Sequence, residues 1–84
     1  MPYVVHVTPK AEGDLAKVPD TTARRILARI QSLGMNPRPH GVMKLVGREN
    51  TYRARVGNYR VLYEIRDDAG IVIVERVRHR REAY

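Results

Sequence analysis

The most constraining stretch of this chain is Tyr52-Arg53-Ala54-Arg55-Val56-Gly57-Asn58-Tyr59-Arg60-Val61-Leu62-Tyr63-Glu64-Ile65. Thr51 to Val56 alternates, with Tyr52, Ala54 and Val56 on one face and Arg53 and Arg55 on the other. After Gly57-Asn58 the alternation resumes: Tyr59, Val61, Tyr63 and Ile65 stand against Arg60, Leu62, Glu64 and Arg66. A period of two marks a half-buried strand, and Gly-Asn between two such runs marks a hairpin turn. The hairpin therefore has one apolar face and one basic face, and Arg53, Arg55 and Arg60 share the latter. An uncovered sheet face must carry polar residues in any case, so three arginines there read first as a solvated surface.

The flanking segments fill in the rest. Tyr3 to Thr8 is short and β-branched and reads as a first strand. Thr8-Pro9 has the form of a helix start, with Thr8 as N-cap, and Ala11, Leu15 and Val18 give that helix an apolar stripe before Pro19 ends it. Asp20 is expected to cap a second helix with a stripe of Ala23, Ile26, Leu27, Ile30 and Leu33, closed by Gly34 as the C′ residue. Arg24, Arg25 and Arg29 lie mostly off that stripe. The Pro-rich run from Met35 to Gly41 is a loop. Val42 to Val46 reads as a short strand, and Ile71 to Val77, the most apolar strand, is expected at the sheet centre. The sum is an α+β domain spanning 1–84, in the order β-α-α-β-β-β, with an antiparallel sheet covered on one face by a two-helix hairpin.

Eighty-four residues make one small domain, marginal on buried area alone. With no Trp and no Phe, the tyrosines supply all aromatic mass, and Tyr52, Tyr59 and Tyr63 are expected in the core or at its edge. Zero Cys excludes disulfides, thiolate metal sites and cysteine nucleophiles. No apolar run reaches the ~20 residues of a membrane helix, and no secretory signal stands at the N-terminus, so the expected compartment is the cytoplasm, with no membrane partner. The net charge is +7, and the basic residues are mostly arginine. Arginine's planar fork suits phosphate and bases, although a GC-rich genome enriches it whatever the function. His6 alternates with strand valines and is expected to be partly buried; His40 lies in the loop, and no metal-ligand spacing accompanies either.

The hairpin run, the preceding Lys44-Leu45-Val46-Gly47 and the terminal Val77-Arg78-His79-Arg80-Arg81-Glu82-Ala83-Tyr84 together resemble the RelE/ParE superfamily of toxins over the whole chain. Some members are ribosome-dependent endoribonucleases and others inhibit DNA gyrase without chemistry, so the shared fold leaves both functions open. In the nuclease branch the resemblance carries onto Arg53 and Arg55 before the turn, Arg60 after it, and Arg80 and Tyr84 at the end. These positions imply cleavage of messenger RNA in the ribosomal A site, with ParE-like gyrase inhibition as the alternative. Lys44, Arg78 and Arg81 are expected to add RNA contacts. The resemblance also implies an acidic, RelB-like antitoxin, contact with operator DNA only through the antitoxin complex, and no cofactor or metal.

Cleavage of RNA by its own 2′-hydroxyl needs a base, cations around the phosphorane and an acid for the leaving 5′-oxygen. Arginine suits the middle task, since it keeps its proton and supplies forked donors. The family often has lysine at one or both strand positions; Arg53 and Arg55 depart from that and weigh against lysine-based proton transfer. Tyr84 is therefore expected to be the base, assisted by Arg80, with Arg60 and Arg80 holding the phosphate. Arg60 or His79 is expected to help the leaving group, His79 having a second reading as a polar strand-end residue.

Overall fold

The computed structural model describes residues 2–82. The elements are β1 (Val4–Val7), α1 (Pro9–Ala16), α2 (Asp20–Met35), β2 (Met43–Lys44), β3 (Thr51–Val56), β4 (Tyr59–Arg66) and β5 (Ile71–His79). The strand expected over 42–46 is present, pairing through Met43 and Lys44, so the order is β-α-α-β-β-β-β, one strand more than the β-α-α-β-β-β sum. The five strands lie in the order β1-β5-β4-β3-β2.

The sheet is not wholly antiparallel. The segment from β2 to β5 runs antiparallel, but β1 lies parallel to β5, with Val4 opposite Ile71 and Val7 opposite Val74. Hairpins force antiparallel neighbours, whereas β1 is joined to the sheet only through the helices and is free of that constraint. β5 is thus an interior strand between β1 and β4, and the middle place belongs to β4.

Thr8 caps α1 as its sequence implies. Its hydroxyl accepts from Ala11 N–H at 3.1 Å and donates to the Glu75 carbonyl at 3.0 Å, tying the helix start to β5. Asp20 does not cap α2: Pro19 holds the N-cap position, and Asp20 is the first helical residue, its charge favourably placed at the helix N-terminus. Gly34 lies within α2, where a Cβ would come 3.0 Å from Val5 Cγ2 and 3.1 Å from the Tyr3 carbonyl. Its role is close approach: the Tyr3 N–H donates to the Gly34 carbonyl at 2.6 Å.

Ile26, Ile30 and Leu33 of α2 and Ala11 of α1 pack on Ala54, Val61, Tyr63, Ile65, Val72, Val74 and Val77. Burying each large aliphatic side chain is worth roughly 1.5–3 kcal/mol. Leu27 is the exception in its stripe, exposed because it turns past the sheet-facing arc of α2. Tyr63 is fully buried and donates its hydroxyl to the Pro37 carbonyl at 2.7 Å, while Tyr52 and Tyr59 pack at the core edge. His6 is exposed, since the valines beside it take the inward positions of β1.

Two details shape the face opposite the helices. Leu62 pairs with Arg76 but Tyr63 pairs with Val74, so Glu75 is an extra residue, a bulge in β5. Val74 and Val77, three apart, are both buried as a result. In addition, Arg48 of the β2–β3 connection reaches Glu75 at 3.1 Å, and Thr51 and Leu62 are buried, so only part of this face is open.

Candidate functional site

The open part lies at the β3–β4 turn. Gly57 has φ of +57°, a left-handed conformation that favours glycine and permits the tight reversal. The register sets Arg55 opposite Arg60, and Arg60 opposite Arg78, forming one row of arginines across β3, β4 and β5. Arg53 stands two residues along β3, opposite Leu62 on one side and Met43 on the other. Arg53, Arg55, Arg60, Met43 and Gly41 line a hollow of about 210 Å³. Arg80 joins the same end of the molecule, because its N–H donates to the Asn58 carbonyl of the turn at 2.7 Å.

The electrostatics divide the arginines sharply. Arg38, Arg48, Arg66, Arg76 and Arg78 each pair with a carboxylate. Among the described residues no carboxylate pairs with Arg53, Arg55 or Arg60. Arg53 has the Met43 sulfur at 3.4 Å, and Arg55 Nε donates to the Gly57 carbonyl at 3.2 Å. Like charges gathered without acids repel one another, and an incoming anion relieves that repulsion while using the forked donors. The arrangement is suited to a phosphate group.

The other residues singled out in the sequence are placed elsewhere. His79 follows the phase of Val77 after the bulge and stands edge-on to Tyr59, with ring centroids 5.1 Å apart. It lines a separate hollow of about 200 Å³ with Asp14, Lys17, Arg76 and Glu82, and its Nδ1 accepts from Arg81 N–H at 3.2 Å. Lys44 lines a third hollow around the β2–β3 connection. Arg81 is exposed beyond β5, and Tyr84 lies outside the described residues. Among the described residues no group of three or more His, Asp or Glu is placed to hold a metal ion, and no helix is long and apolar enough to cross a membrane.

A turn follows the end of β5. The Glu82 carboxylate accepts from His79 N–H at 2.9 Å and from Arg78 Nε at 3.2 Å, and the His79 N–H bond, with Arg78 nearby, holds its pKa below the usual carboxylate range. On the helix side the Asp14 carboxylate receives Arg76 at 2.8 Å and the Val77 N–H at 2.9 Å, closing the edge of β5 beyond the end of β1. Partial burial opposes ionisation of Asp14, but these bonds outweigh it and its pKa is lowered. One participant that the sequence does not mark is Arg25 of α2, whose guanidinium approaches Gly57 from the helix side.

A two-helix layer on a five-stranded, mostly antiparallel sheet is the architecture shared with solved RelE toxins. Residues 5–84 match the family model described as the ParE toxin of the type II toxin–antitoxin system parDE. Toxin RelG of Mycobacterium tuberculosis is 39% identical over 89 residues, covering 100% of this chain and 98% of its own length. The RelE–RelB complex of Pyrococcus horikoshii superposes with a TM-score of 0.85 at 30% identity, covering 99% of this chain and all of that one. The RelBE2 toxin–antitoxin complex of M. tuberculosis gives 0.81 at 34% identity, over 94% of this chain and 99% of that one. The chain therefore belongs to the RelE/ParE family of type II toxin–antitoxin toxins.

Proposed function

We propose that this toxin is a ribosome-dependent endoribonuclease that cuts messenger RNA in the A site. The observation that supports this most directly is the acid-free set Arg53, Arg55 and Arg60, gathered in one hollow with Arg80 anchored at the same turn. In the proposed reaction the Tyr84 phenolate takes the proton of the 2′-hydroxyl. The 2′-oxygen then bonds to phosphorus, and the bond from phosphorus to the 5′-oxygen breaks. The leaving 5′-oxygen takes a proton from water, giving a 2′,3′-cyclic phosphate and a 5′-hydroxyl, and the hydroxide so formed takes the Tyr84 proton and restores the phenolate. Arg55, Arg60 and Arg80 donate to the phosphate oxygens as charge builds in the transition state. Their contribution is positioning and charge stabilisation, and the ribosome supplies the substrate geometry.

The same reading takes the cytoplasm as the site of action and an acidic RelB-like antitoxin as the partner, since the solved relatives are RelE–RelB complexes. Operator DNA is reached only through that complex. The second reading, gyrase inhibition without chemistry, draws on the ParE description of the family model. Primer extension on a ribosome-bound message separates the two. A-site cuts with the wild type that disappear with Tyr84→Phe are the expected result. Cuts that persist move the base to another group, and no cuts at all send the assignment to a gyrase supercoiling assay.

A further inference from the structure

We infer that Arg25 of α2 is a second phosphate contact, extending the RNA-binding surface from the arginine face around the β3–β4 turn onto the helical layer. This rests on the nucleic-acid reading above and adds to it a residue outside the hairpin and the C-terminal segment.

Gly57 stands between two guanidinium groups that come from opposite layers. Arg55 Nε donates to its carbonyl at 3.2 Å from the sheet. From α2, the Arg25 Nη1 and Nη2 atoms lie 3.8 and 4.0 Å from the point a Gly57 Cβ would occupy. With no side chain at Gly57, nothing separates the Arg25 guanidinium from the turn backbone. No carboxylate among the described residues pairs with Arg25, whereas arginines at the other end of the sheet are pinned by Asp67 and Glu64. Asn58 in the same turn holds the Arg80 backbone at 2.7 Å. The Arg25 and Arg55 guanidiniums thus approach Gly57 from two sides, and the backbone of Arg80 is tied to the next turn residue.

Bringing the Arg25 and Arg55 guanidiniums to one turn, with no carboxylate paired to either among the described residues, is unfavourable in the free protein, and a polyanion that spans them removes the penalty. A phosphodiester strand fits because it offers evenly spaced charges. A strand seated on Arg60 and Arg55 and continuing past Gly57 meets Arg25 next. Guanidinium forks donate to phosphate oxygens from either side of such a strand without reading sequence.

The test is fluorescence anisotropy with the whole chain and a short single-stranded 2′-O-methyl RNA, which lacks the nucleophile and stays intact. Affinity is measured across a sodium chloride series for wild type, Arg25→Ala, Arg25→Lys, Arg24→Ala and Arg55→Ala. Losing one phosphate contact lowers the slope of log K against log salt by about 0.7 for a single strand. Arg25→Ala is expected to show that drop and a severalfold weaker affinity, with Arg25→Lys restoring most of both and Arg24→Ala changing neither slope nor affinity. The inference is overturned if Arg25→Ala leaves the slope intact while Arg55→Ala lowers it, an outcome that spares the nucleic-acid reading. Equal losses from Arg24→Ala and Arg25→Ala would reduce the effect to net charge and overturn it too. Wild-type chain that fails to bind the RNA overturns this inference, whereas the ribosome-dependent reading stands or falls on primer extension. An acidic oligoglutamate probe that loses affinity on Arg25→Ala, where the RNA does not, would assign the residue to a protein partner instead.

Discussion

The two ends of this sheet use arginine in opposite ways. Near the β4–β5 turn, Arg38 forms a bidentate pair with Asp67 at 2.7 and 3.1 Å and also donates to Tyr52, clamping the α2–β2 loop. That clamp pulls the Asp67 pKa down to about 2, chiefly through the Arg38 hydrogen bonds. Midway along β5, Arg76 and Asp14 tie α1 to the strand edge. At the β3–β4 turn, Arg53, Arg55 and Arg60 have neighbours of the same sign and no acid. Arginine paired with carboxylate stabilises the fold, whereas arginine left without one keeps its charge for a partner. A protein with net charge +7 has too few acids to pair every arginine, and three of those with no carboxylate partner among the described residues, Arg53, Arg55 and Arg60, gather at one hairpin.

The sharpest way to break this contrast is Arg60→Ala. Removing one donor aimed at developing charge typically costs about a hundredfold or more in rate. Cleavage on ribosomes is expected to fall by that order, while thermal unfolding moves by no more than about 0.5 kcal/mol, as for a half-buried surface side chain that makes no ion pair among the described residues. Equal losses of activity and stability would erase the distinction between the two ends.

Asp14→Ala probes the paired end and is expected to do the reverse. It removes the carboxylate that accepts from the Val77 N–H and the Arg76 guanidinium at a partly buried edge, costing about 1–3 kcal/mol. Denaturant unfolding reads that loss, and cleavage by the fraction that remains folded should stay near wild type.

The smallest effect belongs to Tyr63, under the clamped end. Burial pushes its phenol up to about 12 from an ordinary 10.0. The unfolded chain therefore loses this proton first, so the stabilisation is complete below pH 10 and is lost as pH rises toward 12. Absorbance titration should show one tyrosine ionising after the others. Tyr63→Phe should remove that late step and cost about 1 kcal/mol for the bond to Pro37.

Much of this was legible locally. The alternation from Thr51 to Arg66 places Arg53, Arg55 and Arg60 on one face, and the register confirms that they share it. Thr8-Pro9 announces the start of α1, because a cap and a proline act within one turn of helix. Gly34 misleads as a helix end, because its lack of a side chain serves a contact with Tyr3 and Val5, some thirty residues away in the chain. His79 shows the same limit. Alternation counted from Ile71 sets it with Ile73 on the arginine face, but the bulge at Glu75 shifts the phase and turns it toward Tyr59.

The sequence by itself determined the elements, the two faces of the hairpin and the excess of positive charge, since each depends on spacing within a few residues. Only the tertiary structure decided which arginines are neutralised, that β1 runs parallel to β5, and that Arg25 meets Arg55 at Gly57. Those outcomes depend on register and on ion pairs between distant parts of the chain. Asp14 and Arg76 lie 62 residues apart, and no local periodicity encodes which acid an arginine will meet.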